Sequence, residues 1–174
     1  MVKYEIEIPE EVEIKIEKNK VTVKGPLGQV EREFKLNGIK TILEKDKLTL
    51  QKEEARKKQK AYLGSVRAHI KNMIKGVTKG HTYQLKIVYK HFPINVALQG
   101  NQLAIKNFAG EKKPRFAKIL DGVKVDINNN IIELTGIDIE KVGQTAANIE
   151  QKTRIKDKDI RIFQDGIFII KKSN

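Results

Sequence analysis

Apolar and polar residues alternate along two stretches of the chain, and both stretches have the same pattern. Residues 94–116 can be laid over residues 12–34 without a gap, at a constant offset of 82 positions, the distance from Val12 to Ile94. A period of two is typical of strands with one buried face. The matched residues are Val12, Ile14, Ile16, Asn19, Val21, Val23, Lys24, Gly28 and Phe34 with, in order, Ile94, Val96, Leu98, Asn101, Leu103, Ile105, Lys106, Gly110 and Phe116. The pattern predicts one module present in two copies.

Each copy is expected to open with a β-hairpin. The turns fall at residues 18–20 and 100–102, which contain Asn or Gly, residues that tolerate positive φ angles. A third strand follows in each copy, and residues 48–50 and 131–134 supply another short strand. The strand at 131–134 is entered through a turn of three asparagines, 128–130.

Two longer segments carry apolar residues at spacings of three and four, which predicts helices with one face against a sheet. These apolar stripes consist of Tyr62, Val66, Ile70, Met73 and Val77 and of Ile139, Val142, Ala146, Ile149 and Thr153. Asp138 stands where the second helix begins and suits the N-cap position. Each copy therefore runs from strands into one helix.

The predicted fold class is α+β, with two tandem duplicated modules that each pack an antiparallel sheet against one helix. The first helix is expected to end near Gly80, which divides the chain into modules at residues 1–81 and 82–174. Near the end of the chain, Asp165-Gly166 is expected to close a hairpin between residues 160–163 and 167–170.

The charge of the chain favours a polyanionic partner. Its 174 residues include 35 Lys and Arg against 22 Asp and Glu, a formal net charge of +13. Nucleic acid is preferred to a membrane because the basic residues are spread through structured segments, with no lipidation signal and no long apolar run. The sequence contains no Cys, which excludes disulfides and thiolate metal sites and suits a reducing interior. A cytoplasmic protein without a membrane anchor is expected.

The residues do not form a recognisable catalytic motif. The three histidines, His69, His81 and His91, match no common metal-ligand spacing, so no metal and no cofactor are expected. The glycine-rich residues 25–28 lack the Gly-Lys-Ser/Thr ending of a phosphate-binding loop. An enzyme would require Asp165, His91 and Glu111 to converge in a pocket. The chain is therefore not expected to be an enzyme.

Cations cluster in the second module, at loops and at the ends of elements. Extended cationic side chains in such places can straddle a phosphate backbone. One cluster contains Lys106, Lys112, Lys113, Arg115 and Lys118, and the other contains Lys152, Arg154, Lys156, Lys158 and Arg161 and continues to Lys171 and Lys172. The second module is therefore the first candidate for an RNA-binding face.

A third cationic cluster lies on the first helix, as either a solvated face or a further RNA contact: Arg56, Lys57, Lys58, Lys60, Arg67, Lys71 and Lys75. Aromatic residues are few and Trp is absent, which argues against a stacking platform for single strands. Recognition of a folded RNA by its shape and phosphates fits better. Phe108 and Phe163 remain candidates for stacking, although packing inside the protein is the expected role of Phe163.

Three segments of the second module resemble a known family. They are NFAGEKKPR at 107–115, VGQTAANIEQ at 142–151 and FQDGI at 163–167. Together they closely resemble the sixth protein of the large ribosomal subunit in its archaeal and eukaryotic form, and the similarity extends over nearly the whole chain. The run GQTAANIEQ is long and unusual enough to be specific by itself.

The resemblance implies a structural constituent of the large subunit, bound to large-subunit rRNA near the sarcin-ricin loop and the stalk base. Neighbouring ribosomal proteins, including those of the stalk base, and translational GTPases would lie nearby. Carried onto this chain, the rRNA contacts fall on Lys106, Asn107, Lys112, Lys113, Arg115, Arg154, Lys156, Arg161, Gln164 and Lys171, and the charge clusters add Lys118, Lys158 and Lys172. A non-ribosomal RNA-binding assembly factor would have the same fold and charge, and it stays open as the alternative.

Overall fold

The computed structural model describes residues 2–36, 38–44, 46–53 and 56–173. The chain divides into two compact units, residues 1–80 and 81–174, which we call the first and second modules. Both contain strands and one long helix, so the predicted α+β class with duplicated modules is confirmed. The structure distributes the strands of each module between two antiparallel sheets, where the sequence suggested one.

The first module contains six strands and a helix among its described residues. Strands β2, β3 and β4 form one sheet in that order, and β1, β6 and β5 form the other. The elements are β1 Val2–Glu7, β2 Glu13–Glu17, β3 Lys20–Gly25, β4 Gly28–Glu33, β5 Lys40–Leu43, β6 Lys47–Lys52 and α1 Lys57–Thr78.

The second module repeats this arrangement and adds a strand. Strands β8, β9 and β10 form one sheet, and the other has the order β11-β12-β7-β13. The elements are β7 His81–Val88, β8 Asn95–Gln99, β9 Gln102–Lys106, a 3₁₀ turn at Phe108–Gly110, β10 Arg115–Lys118, β11 Val123–Asn128, β12 Ile131–Gly136, α2 Ile139–Lys152 and β13 Gly166–Lys171.

Both predicted helices are confirmed, and their apolar stripes are buried except at Tyr62 and Ile139. Val66, Ile70, Met73 and Val77 are buried in the first module, whereas Tyr62 is 38% exposed and accepts a hydrogen bond from the backbone N–H of Lys35. In the second module, the buried face consists of Val142, Thr145, Ala146 and Ile149. The Asp138 carboxylate caps α2 by accepting from the backbone N–H of Glu140 at 2.9 Å.

The two predicted hairpins are confirmed, and each has a two-residue turn. The residue with positive φ is the first of each turn, Gly100 in one copy and Lys18 rather than Asn19 in the other. Turn chemistry alone therefore located both hairpins correctly but chose the wrong left-handed residue in the first.

The gapless match fails at the third strand. The backbone N–H of Phe34 bonds the carbonyl of Asn19, and the equivalent bond to Asn101 comes from Ile119, not from Phe116. Ile119 is buried like Phe34, whereas Phe116 is 41% exposed. The cause is a longer connection in the second copy, residues 107–114 in place of 26–27, which moves the strand register by three positions.

The hairpin expected at the end of the chain was wrong. Strand β13 pairs with β7 at the edge of the four-stranded sheet, and residues 160–163 form a turn and loop rather than a strand. Asp165 is buried, and its carboxylate accepts a hydrogen bond from the backbone N–H of Lys90 at 3.0 Å. Pairing with a strand that lies 78–87 positions earlier in the chain outweighed the local turn preference of Asp-Gly.

Two glycines are predicted to respond to Ala in opposite directions. A Cβ on Gly136 would lie 2.8 Å from Cγ2 of Val142 and 3.0 Å from the carbonyl oxygen of Gly122, whereas one on Gly64 would meet nothing within 4 Å. We expect Gly136→Ala to cost about 1–3 kcal/mol through overpacking. Gly64→Ala, inside α1, should stabilise by about 0.5–1 kcal/mol. Denaturant unfolding measures both, and equal effects would contradict the packing described.

Candidate nucleic-acid interface

The loop at residues 107–114 is shaped by left-handed backbone positions. Asn107, Ala109 and Gly110 have φ angles of 59°, 52° and 79°. The Asn107 side chain donates to the carbonyl oxygen of Pro93 at 3.0 Å, and Phe108 is buried in the core. A short loop whose ends are tied to the module in this way presents its exposed side chains, Lys112 and Lys113, from a defined base.

Arg115 ties this loop to the end of α2. Its Nε and one terminal nitrogen donate to the two carboxylate oxygens of Glu111, and the other terminal nitrogen donates to the carbonyl oxygen of Lys152 at 2.7 Å. The guanidinium also lies 4.5 Å from the ring centroid of Phe108. The hydrogen bond from Arg115 holds the pKa of Glu111 below its ordinary value, so this carboxylate stays ionised and paired.

The segment that follows α2 is fixed at both ends. Thr153 is buried, and its hydroxyl accepts from the backbone N–H of Ile167 at 2.9 Å. One turn earlier, the Glu150 carboxylate accepts from the backbone N–H of Ile169 at 3.1 Å. These bonds join the end of α2 to β13, so residues 154–165 form a loop that returns to its starting point.

The two loops enclose a cleft of about 700 Å³. Its cations come from both predicted clusters, and its single acidic side chain, Glu111, is bound by Arg115. We call this the cationic cleft, and it is lined by Phe108, Ala109, Glu111, Arg115, Phe116, Gln151, Lys152, Arg154, Ile155, Lys156 and Lys158. It therefore has an excess of positive charge on an open surface, which suits the phosphates of a nucleic-acid backbone.

The predicted contact residues divide into four groups. Arg115, Arg154, Lys156 and Lys158 line the cleft, and Gln164 lines a neighbouring groove. The others are exposed but do not line the cleft: Lys106, Lys112, Lys113, Lys118, Arg161, Lys171 and Lys172. Asn107 is held by Pro93, so its side chain supports the loop from within the module.

Sequence reasoning missed one contributor and misjudged another. Phe116 lines the cleft and is exposed, but the gapless match paired it with the buried Phe34. Phe108 is 2% exposed and covered by Arg115, so its ring is not available to a base. Recognising the longer connection before β10 would have placed Phe116 correctly.

The histidines and Asp165 have structural surroundings. His81 is buried beside the Ser173 hydroxyl, and Nδ1 of His69 lies 3.1 Å from Nη1 of Arg32.

Two of the three residues that an enzyme would require lie close together, because Nδ1 of His91 is 3.8 Å from Oδ1 of Asp165. The third, Glu111, is bound by Arg115. Among the described residues, no group of three His, Asp or Glu side chains could hold a metal ion.

The basic face of α1 is less uniform than the sequence suggested. The Arg67 guanidinium lies 5.2 Å from the Tyr4 ring centroid, and its Nε is buried without a hydrogen-bond partner among the described residues. Arg67 therefore packs against the first module. Lys57, Lys58 and Lys60 are exposed on the first turn of α1. No helix within the described ranges carries an apolar stretch that could cross a bilayer.

Comparisons with known proteins find similarity along almost the whole chain. The model of a family described as Ribosomal protein L6 matches residues 8–80 and 92–166, one segment in each module. A large ribosomal subunit protein uL6 from Methanosarcina mazei is 51% identical over 168 residues, covering 97% of this chain and 96% of the relative. Proteins of the same name from Aeropyrum pernix and Sulfurisphaera tokodaii are each 48% identical, covering 94% and 97% of this chain and 91% of each relative.

Proposed function

This chain belongs to the ribosomal protein L6 family, and on that premise we propose that its second module holds large-subunit rRNA in the cationic cleft. The resemblance inferred from the sequence is thereby confirmed. The family consists of structural proteins of the large ribosomal subunit and not of enzymes, as the sequence predicted. The chain is accordingly a protein of the large subunit, and the finer proposal concerns where and how it meets the rRNA.

The convergence of two cation clusters carries the proposal. Arg115 and Lys152 are 37 positions apart in the chain, yet a hydrogen bond of 2.7 Å joins them at the wall of one cleft. Arg154, Lys156 and Lys158 extend that wall, and all three are exposed. Arg and Lys arranged in this way neutralise phosphates and release bound counterions, which supplies most of the affinity of backbone contacts.

The position of the chain within the subunit is a further part of the proposal. We place the second module near the sarcin-ricin loop and the stalk base, with translational GTPases nearby. The resemblance of residues 107–115, 142–151 and 163–167 to the family supports this placement. Cations outside the cleft, such as Lys106, Lys113 and Lys171, would extend the contact over adjoining rRNA. The chain would work in the cytoplasm, beside other large-subunit proteins.

Stoichiometry in mature subunits tests the proposed role. Large subunits washed at high salt should retain one copy of this chain each, because a structural constituent remains after assembly. The comparison is with precursor particles from the same cells, quantified by mass spectrometry. A chain abundant in precursors but absent from washed mature subunits would be an assembly factor instead.

A further inference from the structure

A second groove adjoins the cationic cleft and differs from it in chemistry. It measures about 810 Å³, and Gln151, Arg154 and Ile155 belong to the walls of both. Of its other eight lining residues, four are apolar, including Ile160 and Phe168, which are 73% and 43% exposed, and four are polar, including the acidic Glu150 and Asp165. Its volume lies within the range of about 300–1,000 Å³ typical of sites for small organic groups.

Two aromatic rings in this groove are held in place. The Phe168 ring packs over Gly166, where an added Cβ would lie 3.0 Å from its Cζ. The Phe163 ring lies 5.3 Å from the His91 ring and 4.7 Å from Nζ of Lys158. Rings fixed by their surroundings offer a flat surface to a ligand at little entropic cost.

The same groove contains polar atoms with unused hydrogen-bonding capacity. Asp165 is 3% exposed. Its Oδ1 accepts a hydrogen bond from the backbone N–H of Lys90 at 3.0 Å and lies 3.8 Å from Nδ1 of His91. Its Oδ2 has no partner among the described residues. Gln164 donates through Nε2 to the Arg161 carbonyl, which leaves its amide oxygen available. A carboxylate oxygen that takes no other hydrogen bond can accept from a ligand that supplies N–H groups.

We propose that this groove receives an unpaired nucleobase of the RNA strand whose phosphates lie in the cationic cleft. The inference rests on the proposed function and names the ligand of the adjoining site. The shared wall brings a strand leaving the cleft into the groove, where Phe168 stacks on the base and Asp165 accepts from its amino or imino N–H. Unstacked bases are recognised in this way, by aromatic faces and by polar groups at their edges. The negative charge of Asp165 keeps phosphates in the cleft.

Binding of the full chain to a protein-free transcript of large-subunit rRNA tests whether the groove receives a base. The paired variants are Phe168→Leu and Phe168→Tyr. Loss of one stacked base should lower the affinity of Phe168→Leu roughly 10-fold. The slope of log affinity against log salt should stay unchanged, because no phosphate contact is removed. Phe168→Tyr keeps the ring and should bind like the parent chain. Leu98→Ala, an exposed site in the same module outside the groove, is the matched control.

The outcomes separate the base from other occupants. Unchanged affinity of Phe168→Leu for protein-free rRNA would overturn the inference and leave a neighbouring protein as the occupant. A lower affinity accompanied by a shallower salt slope would also overturn it, because the ring would then act through the cations. Lys156→Ala should make the slope shallower by about one unit. If Lys156→Ala alters neither the slope nor the affinity, the proposal that the cationic cleft holds rRNA is wrong, whatever the Phe168 variants show.

Discussion

Replacing Arg154, Lys156 and Lys158 by Glu should lower the affinity of the chain for large-subunit rRNA by roughly 100- to 1,000-fold. Each side chain is exposed on the wall of the cationic cleft, so the change removes phosphate contacts and adds repulsion without disturbing the core. The slope of log affinity against log salt should become shallower by about two to three units, since each contact contributes about 0.7–0.9. Filter binding at several salt concentrations measures both quantities.

A matched control on α1 separates local contacts from net charge. Lys57, Lys58 and Lys60 are also exposed, and their replacement by Glu changes the net charge by the same amount. This variant should lose little more than long-range attraction, which salt screens. Equal losses in the two variants would mean that the RNA face does not lie in the second module.

Arg115→Ala should produce the largest loss of stability among single changes near the cleft, about 2–3.5 kcal/mol. The half-exposed ion pair with Glu111 contributes about 0.5–1 kcal/mol after solvent screening. The charged hydrogen bond to the Lys152 carbonyl adds about 1–1.5 kcal/mol, and the contact with the Phe108 ring adds about 0.5–1 kcal/mol. For a chain of this size the melting temperature should fall by about 5–10 °C, as measured by circular dichroism.

Two further variants show whether this loss comes from geometry or from charge. Arg115→Lys keeps the charge but cannot bond Glu111 and Lys152 together, so it should recover less than half of the lost stability. Lys113→Ala removes a cation from the same loop, and its side chain is exposed, so stability should change by less than about 0.5 kcal/mol. Full recovery in Arg115→Lys would count against the fork of hydrogen bonds described here.

Local patterns predicted the elements whose contacts are local. The hairpin turns, the apolar stripes of α1 and α2 and the Asp138 cap depend on residues within a few positions of one another. Periodicity therefore identified them directly. It did not identify β1 and β7, whose pairing partners lie at least 40 positions away in the chain. It also missed β5 and β11, although these pair with the strands that directly follow them, β6 and β12.

Long-range pairing explains the errors near the end of the chain. Residues 160–163 could form a strand only beside a partner strand, and β13, the expected partner, pairs with β7 instead.

The third strand of the second copy has a different register because the connection before it is longer. A gapless match of Phe34 with Phe116 conceals this change. The lengths of the two connections can be read from the sequence, but the strand register that results from each length cannot.

The candidate interface was predictable as a set of residues but not as a surface. Charge and loop position selected both cation clusters, yet nothing in the sequence showed that they share one cleft. Residue type also does not distinguish a cation facing solvent from one bound within the protein. Arg115 is bonded to Glu111 and Lys152, and Arg67 is packed on Tyr4, although both were grouped with exposed lysines.

Ultraviolet crosslinking of intact, salt-washed large subunits tests the central claim most directly, with the modified peptides identified by mass spectrometry. The cleft and its surroundings should carry the rRNA adducts, on peptides from residues 106–118 and 152–172, while residues 56–75 of the first module carry few. Adducts concentrated on residues 56–75, with none on either segment of the second module, would contradict the assignment of the rRNA to the cationic cleft.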